Sequence, residues 1–338
     1  MNAKPTMIDV AKAAQVALGT VSKVLSGDST VTAERRERVL AACEQLSYQR
    51  NAIAASLRSR QTHTIGIVIP DILNTFYATL LDKLENLASS AGYTVVIVTA
   101  GEDTQREIER IDILRQRQVD GIIVVPSLEG SGALAESIGP DLPCVVVDRI
   151  SQHEAFPSVA TDNVDAAYQG TRYLLSLGHR HIVLAVNSPD LWNTTERIMG
   201  FRQAIDEANA RGEVRVVGMT VDSARQSLAE LFAGADLPSA LFTANNLVTL
   251  GAVGVIQESR LQVPGDLSLL AFDDFEWLRL VQPPVSAVAQ PINQIAVDAW
   301  RLMFQQLRKR PLNADHVRAG GQLVIRQSTG APSRQKQG

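Results

Sequence analysis

The sequence predicts a small all-α head followed by an α/β core of two doubly wound parallel-sheet subdomains. Three observations predict it. The first sixty or so residues carry helical periods and no strand pattern. From Thr64 onward, short continuous apolar runs alternate with helical periods, the pattern of strands covered on both faces by crossover helices. Those runs, "TIGIVIP", "YTVVIVT", "GIIVV", "CVVVD", "HIVLAV", "RVVGMTV", "SALFTAN" and "LSLLAFD", exceed one comfortable sheet and divide between two.

Taken in order, Thr6 is placed to cap a first helix that buries Val10 and Ala14, and Asp9 three residues on approximates a capping box. A second helix over 18–25 turns Val21, Val24 and Leu25 inward, which leaves Leu18, Gly19, Ser22 and Lys23 outward. Thr32 is expected to cap a third, "AERRERVLAACEQLSY", with Glu34 near its positive end and Val39, Cys43 and Leu46 facing in. The alanine-rich, basic "RNAIAASLRSRQTH" can make a helix of about eight residues. That is below the roughly 12–15 at which isolated helices become marginal, so it folds only when something holds it. Core helices are predicted over 76–91, 104–118, 165–177, 195–211, 247–259 and 293–308, the last returning to the first subdomain. The head spans 1–48, the hinge and linker 49–63 and the core 64–331. Within the core, one subdomain takes about 64–160 and 290–320, the other about 161–289 and 321–331, and 332–338 are expected to form a disordered tail.

A chain of 338 residues with 45 % hydrophobic content can build two or three separate cores, which excludes general disorder. No run approaches the roughly 18 apolar residues of a membrane span, and "MNAKPTMIDV" lacks a secretory apolar stretch, so a cytoplasmic protein without a membrane partner is expected. Cys43 and Cys144 lie in unrelated patterns with no CxxC, which points to packed thiols and no zinc site. The net charge of -4 is unevenly spread: residues 1–62 hold nine Lys and Arg against five Asp and Glu. A basic head that meets a polyanion and an acidic body that does not would produce this asymmetry.

Helix, tight turn and second helix with small and hydroxyl-bearing outward residues is the helix-turn-helix arrangement, whose second helix enters a DNA major groove. Thr20 and Ser22 suit phosphates, Lys23 the edge of a guanine, and Leu18 a thymine methyl. "IDVAKAAQVALGTVSKVLSG", "VTAERRERVLAACEQLSYQRN" and "LRSRQTHTIGIVIPDILNTFY" together resemble the amino-terminal third of the LacI/GalR family of bacterial transcription regulators. The resemblance continues through "VATDN", "LGHRHIVLAV", "ERIMGFRQAI", "VPGDLSLLAFDD" and "PPVSAVAQP", nearly the whole chain.

The resemblance implies a DNA-binding head, a hinge helix and a core similar to periplasmic sugar-binding proteins. It implies backbone-anchoring roles for Thr6, Thr20, Ser22 and Thr32, base-reading positions at Leu18, Gly19 and Lys23, and DNA contact at Asn51 in the hinge. Leu57 matches the hinge leucine that wedges into the minor groove; its alternative is a core residue packed on Ile53. Ala17 stands where the family usually has Ser, Gly19 has no side chain to read a base, Lys23 replaces a frequent Arg, and Arg50 stands at a frequent Pro. The operator preference therefore does not transfer from relatives.

Ligands of open parallel sheets bind beyond the strand C-termini, where this sequence places Asp71, Asn74, Asp148, Arg149, Asn187, Asn245 and Asp273. The resemblance assigns Phe76, Asp148, Arg197, Asn245, Asp273 and Gln290 to an effector pocket. Asp, Asn and Arg suit vicinal hydroxyls of a sugar or sugar derivative, with flat faces from Phe76 and Trp192 or Trp277. Asp162 and Asn163 are read as helix caps, Arg149 equally as a partner in an internal ion pair, and Asn246 replaces a common Asp.

The expected function is a repressor controlled by such an effector, with duplex DNA and a second copy of the chain as partners and no cofactor or metal. Two short heads on a two-fold dimer match a pseudo-palindromic operator. The tail "GAPSRQKQG" has no leucine heptads for tetramerisation. Two other readings are weaker. A solute-binding protein without DNA function would need export, and an NAD-dependent oxidoreductase would rest on "GSGALA", which follows its strand too late for the dinucleotide turn. His179 and His181 lack a third ligand, and no GxSxG nucleophile motif is present.

Overall fold

The computed structural model describes residues 5–25, 28, 30–48, 61–127, 131–150, 156–309 and 316–333. The chain divides into two compact units, Met1–Thr62 and His63–Gly338.

In the first unit, Thr6 opens α1 (Met7–Ala13) with a complete capping box: the Asp9 backbone N–H donates to the Thr6 hydroxyl, and the Thr6 N–H donates to the Asp9 carboxylate at 2.8 Å. Gln15, at φ 52°, turns the chain through a left-handed conformation toward α2 (Leu18–Leu25). With α3 (Ala33–Gln45), these helices enclose Val10, Ala14, Val21, Val24, Val39 and Ala42. Cys43, Leu25 and Leu46 are only half-buried at the rim, because three short helices have too little interior to enclose every apolar side chain. Thr32 holds the N-cap position of α3 without the expected hydroxyl bond; only its carbonyl enters the helix, accepting from the Arg36 N–H. Both hinge residues singled out in the sequence, Asn51 and Leu57, lie outside the described residues.

The second unit opens with β1 (Thr64–Ile69), α4 (Thr75–Ser90), β2 (Thr94–Thr99), α5 (Thr104–Gln116), β3 (Gly121–Val124), α6 (Ser131–Ile138), β4 (Cys144–Val147) and β5 (Ser158–Thr161). It continues as α7 (Asn163–Ser176), β6 (His181–Val186), α8 (Trp192–Glu207), β7 (Arg211–Val216), α9 (Val221–Ala233), β8 (Ala240–Thr243), α10 (Asn246–Glu258) and β9 (Ser268–Phe272). A 3-10 turn (Glu276–Arg279), β10 (Ser286–Ala289), α11 (Ile292–Leu307), β11 (His316–Ala319) and β12 (Gln322–Val324) complete it.

These strands form two six-stranded sheets, ordered β11-β5-β4-β3-β1-β2 and β12-β10-β9-β8-β6-β7. Every ladder is parallel except β10 with β12. In each sheet the order reverses beside the first strand, between β1 and β3 and between β6 and β8, the switch points where such folds open a crevice. Helices cover both faces: α4 and α11 pack on one face of the first sheet through Leu80, Leu84, Ile295 and Met303, α5 and α6 on the other through Ile111, Leu114 and Leu134. The second sheet lies between α7 with α8 and α9 with α10. At the α7–α8 contact, a Cβ on Gly200 would overlap the Val164 carbonyl oxygen, so only glycine permits this approach.

The expected strand over "RVVGMTV" is displaced: β7 starts at Arg211, so the predicted helix over 195–211 ends early, at Glu207. β7 is the edge strand of its sheet and its first residues are exposed, so it carries little apolar signal; pairing with β6 places it. β5, β10, β11 and β12 lack the continuous apolar run that marks β3, β4 and β8 at similar length and were not expected, nor was α9. "GSGALA" falls mostly inside α6, and its first residue, Gly130, is outside the described residues.

Candidate nucleic-acid interface and ligand cavity

In the head, burial of Val21 and Val24 forces the opposite side of α2 outward. Leu18 is 45 % exposed, Gly19 and Lys23 are exposed, and Thr20 and Ser22 are half-buried. Nothing lies within 4 Å of where a Gly19 Cβ would project. Leu18, Gly19 and Lys23 thus share one outward stretch of α2 with the two hydroxyls, while Thr6 and Thr32 stand at the starts of α1 and α3.

In the second unit, the strand C-termini of both sheets converge on a cavity of about 220 Å³. Asn74 and Phe76 follow β1, Glu102 follows β2, Asp148 and Arg149 follow β4, Asn193 and Arg197 lie on α8, Asn245 follows β8, and Asp273 and Gln290 follow β9 and β10. The sequence-predicted Asn74, Phe76, Asp148, Arg197, Asn245, Asp273 and Gln290 all line it. Trp277 does not. It lies on the 3-10 turn, packs against core clusters of both subdomains, and donates its indole N–H to Asn246 Oδ1 at 3.3 Å. Trp192 is likewise not on the lining; the Arg318 guanidinium sits over its ring at 5.1 Å.

Buried groups hold one another in place around this cavity. Arg197 donates Nε–H to Asn163 Oδ1 at 2.8 Å and Nη1–H to the Ala244 carbonyl, and its guanidinium lies 3.7 Å over the Phe272 ring. Asn163, read as a cap, therefore orients the arginine; the capping is done by Asp162, which accepts from the Asp165 N–H at 3.1 Å. Asp273 accepts from the Asn246 N–H at 3.0 Å and from the Gln290 side-chain amide. Asn74 and Asn245 use their side-chain oxygens to cap α4 and α10. Asp148 and Asp273 both sit at positive φ, 68° and 79°, a conformation that aspartate tolerates better than most residues. Burial pushes both carboxyl groups up, opposed by Arg149 and Arg197 at Asp148 and by Arg197 at Asp273.

Side-chain hydrogen bonds also tie the subdomains together. The Asn193 side-chain amide on α8 donates to Asp148 Oδ2 at 3.1 Å, the Thr161 hydroxyl donates to Gln290 Oε1 at 2.6 Å, and Arg318 on β11 forks onto Glu196 on α8 at 2.8 and 2.9 Å. Sequence reasoning missed Tyr77, Glu102, Asn193, Thr194 and Met219 on the lining. Two carried a usable signal: Asn193 lies one helical turn before Arg197, and Glu102 stands just beyond a strand end.

Residues 6–51 match the bacterial regulatory proteins of the lacI family, and residues 171–329 match the periplasmic binding protein-like domain. Catabolite control protein A of Priestia megaterium is 30 % identical over 96 % of this chain and 99 % of its own length. The chain belongs to the LacI family. This is a family of transcription regulators, not of enzymes. Among solved structures, the lac repressor dimer bound to operator and the anti-inducer ONPF matches with a TM-score of 0.88 at 23 % identity, covering 97 % of this chain and 100 % of that one. The complex of the transcriptional regulator CelR with cellobiose matches with a TM-score of 0.73 at 27 % identity, covering 96 % and 99 %. As in that LacI-family architecture, a helical head precedes two parallel-sheet subdomains. No helix among the described residues is long and apolar enough to cross a membrane.

Proposed function

We propose that this LacI-family chain is a sequence-specific DNA-binding repressor whose operator affinity is set by a small polyhydroxylated effector, a sugar or sugar derivative, in the cavity between the sheets. The observation that carries this reading is one chain holding both the outward hydroxyl, lysine and leucine positions of α2 and a cavity ringed by Asp148, Arg197, Asn245 and Asp273. Thr20 and Ser22 position the helix on phosphates, and Leu18 and Lys23 read base edges. The cavity carboxylates accept from ligand hydroxyls, the amides and Arg197 donate to them, and Phe76 offers an apolar face. CelR bound to cellobiose supports the sugar class.

The working unit is a homodimer on a pseudo-palindromic operator, since one small head makes too few base contacts for genomic specificity. The dimeric form of the lac repressor, which shares this architecture, supports that reading. An effector shifts DNA affinity only by binding the two core arrangements unequally, so operator and effector affinities are reciprocally linked.

The test is retention of the full chain on fragments of its own promoter region across a salt series, repeated with sugars that raise its melting temperature. Steep salt dependence and a sugar-dependent change in retention are expected. A solute-binding protein would show the sugar shift and no fragment preference.

A further inference from the structure

The cavity lining bears on the charge of its ligand. Two guanidinium groups line it, Arg149 and Arg197, together with the carboxyl groups of Asp71, Glu102, Asp148 and Asp273. Protein acceptors already hold part of each guanidinium's donor set, and Arg149 Nε, buried without a hydrogen-bond partner among the described residues, lies 3.9 Å from Asp148 Oδ2. Arg149, which is buried, forks onto Glu102 at 2.7 and 2.8 Å and also donates to the Pro126 carbonyl at 2.8 Å and the Tyr77 hydroxyl at 3.2 Å. Arg197 is held by Asn163, the Ala244 carbonyl and the Phe272 face, with Asp148 and Asp273 as its nearby counter-charges. The Glu102–Arg149 pair is therefore internally neutral, and Arg197 faces two carboxyl groups. A ligand carboxylate or phosphate entering here meets Asp148 and Asp273 and finds both guanidiniums sharing their charge with protein carboxyl groups, in a site where charges are weakly screened. Hydroxyl groups meet the opposite situation, because both aspartates can accept from them.

We propose that the cavity selects an uncharged polyhydroxylated ligand over the corresponding sugar acid, and that Glu102 is the residue that enforces this by closing Arg149 into an ion pair. This rests on the effector reading above and narrows it. Glu102 lies in the short loop between β2 and α5, just beyond the strand end.

The experiment uses the full chain and a panel of neutral pentoses, hexoses and disaccharides, each paired with its own aldonic or uronic acid. Binding is measured by calorimetry and operator retention is read in parallel. At least one neutral sugar is expected to bind, with its acid about tenfold weaker or worse. Glu102→Gln frees Arg149 to meet an anion, and Asp148→Asn deletes a facing charge at a positive-φ position that Asn tolerates. Each is expected to narrow the neutral-to-acid gap by about tenfold, and the second serves if the first disturbs folding. An acid that binds the parent chain as well as its neutral partner overturns the charge rule and leaves the effector reading standing. A gap unchanged in folded Glu102→Gln overturns the role of Glu102, and a gap unchanged in Asp148→Asn overturns repulsion by the facing aspartate. Failure of every probe, neutral or acid, to bind or to alter operator retention overturns this proposal and the effector reading together.

Discussion

The Thr161 hydroxyl donates to Gln290 Oε1 at 2.6 Å, and Gln290 in turn donates to Asp273. Thr161 ends β5 of the first sheet and Gln290 follows β10 of the second, so two of the segments that pass between the sheets are joined through a residue on the cavity wall. Thr161→Val keeps the shape and removes the donor, leaving the Gln290 oxygen unsatisfied. The expected cost is about 1–2 kcal/mol in urea unfolding, with a weaker effector response at unchanged operator affinity. Full parental stability would show that the bond carries little.

Asp273 sits at φ 79°, where alanine is strained, so Asp273→Asn is the cleaner substitution. It keeps one acceptor for the Asn246 N–H and removes the negative charge beside Arg197. Effector affinity is expected to fall at least about tenfold while operator binding persists. An unaltered effector titration would remove Asp273 from the binding set.

In the head, Lys23→Ala is expected to weaken binding to the preferred operator by roughly 5- to 100-fold and to relax preference at one base position. A loss equal across all sequences, with a shallower salt slope, would assign Lys23 to a phosphate instead.

The Glu107 carboxyl is 1 % exposed, accepts from the Ser127 N–H at 2.6 Å, and is pushed by burial up to about 7 from its ordinary 4.5. Between those values the folded chain holds the proton that the unfolded chain has lost, so this group makes stability fall as pH rises through that window. Glu107→Gln retains an acceptor without the charge. The variant is expected to match its parent near pH 4.5 and exceed it at pH 8 by up to ~3 kcal/mol. Parallel stability curves would refute the assignment.

Gly200→Ala forces a methyl against the Val164 carbonyl where α7 meets α8. Destabilisation of about 1–3 kcal/mol is expected in thermal or urea unfolding. An unchanged midpoint would mean that the helix pair moves apart at little cost.

Most of the buried strands were legible as continuous apolar runs, and most of the long helices by their helical period. β5, β10, β11 and β12 were not, since their small or polar residues break the apolar run that marks β3, β4 and β8 at similar length, and pairing with neighbours places them. Much of the cavity was legible from polar residues that follow apolar strands, as Asp148 and Asp273 do, although Glu102, placed the same way, was missed. Asn163 and Trp277 were misread for one reason: sequence shows that a side chain can bond or stack, not which partner reaches it first. Asn163 meets Arg197, and the Trp277 ring is taken up between the two cores.

One of the helices that cover the first sheet, α11, and that sheet's edge strand, β11, are encoded after all of the second sheet except its last strand, β12. A nascent chain emerging from the ribosome therefore exposes Ile67, Ile123 and Val145 on a half-clothed sheet until Ile295, Trp300 and Met303 have been translated. Biogenesis of this protein is thus bound to its last fifty residues, and chains truncated there by a premature stop should be substrates for chaperones and proteases rather than shortened regulators.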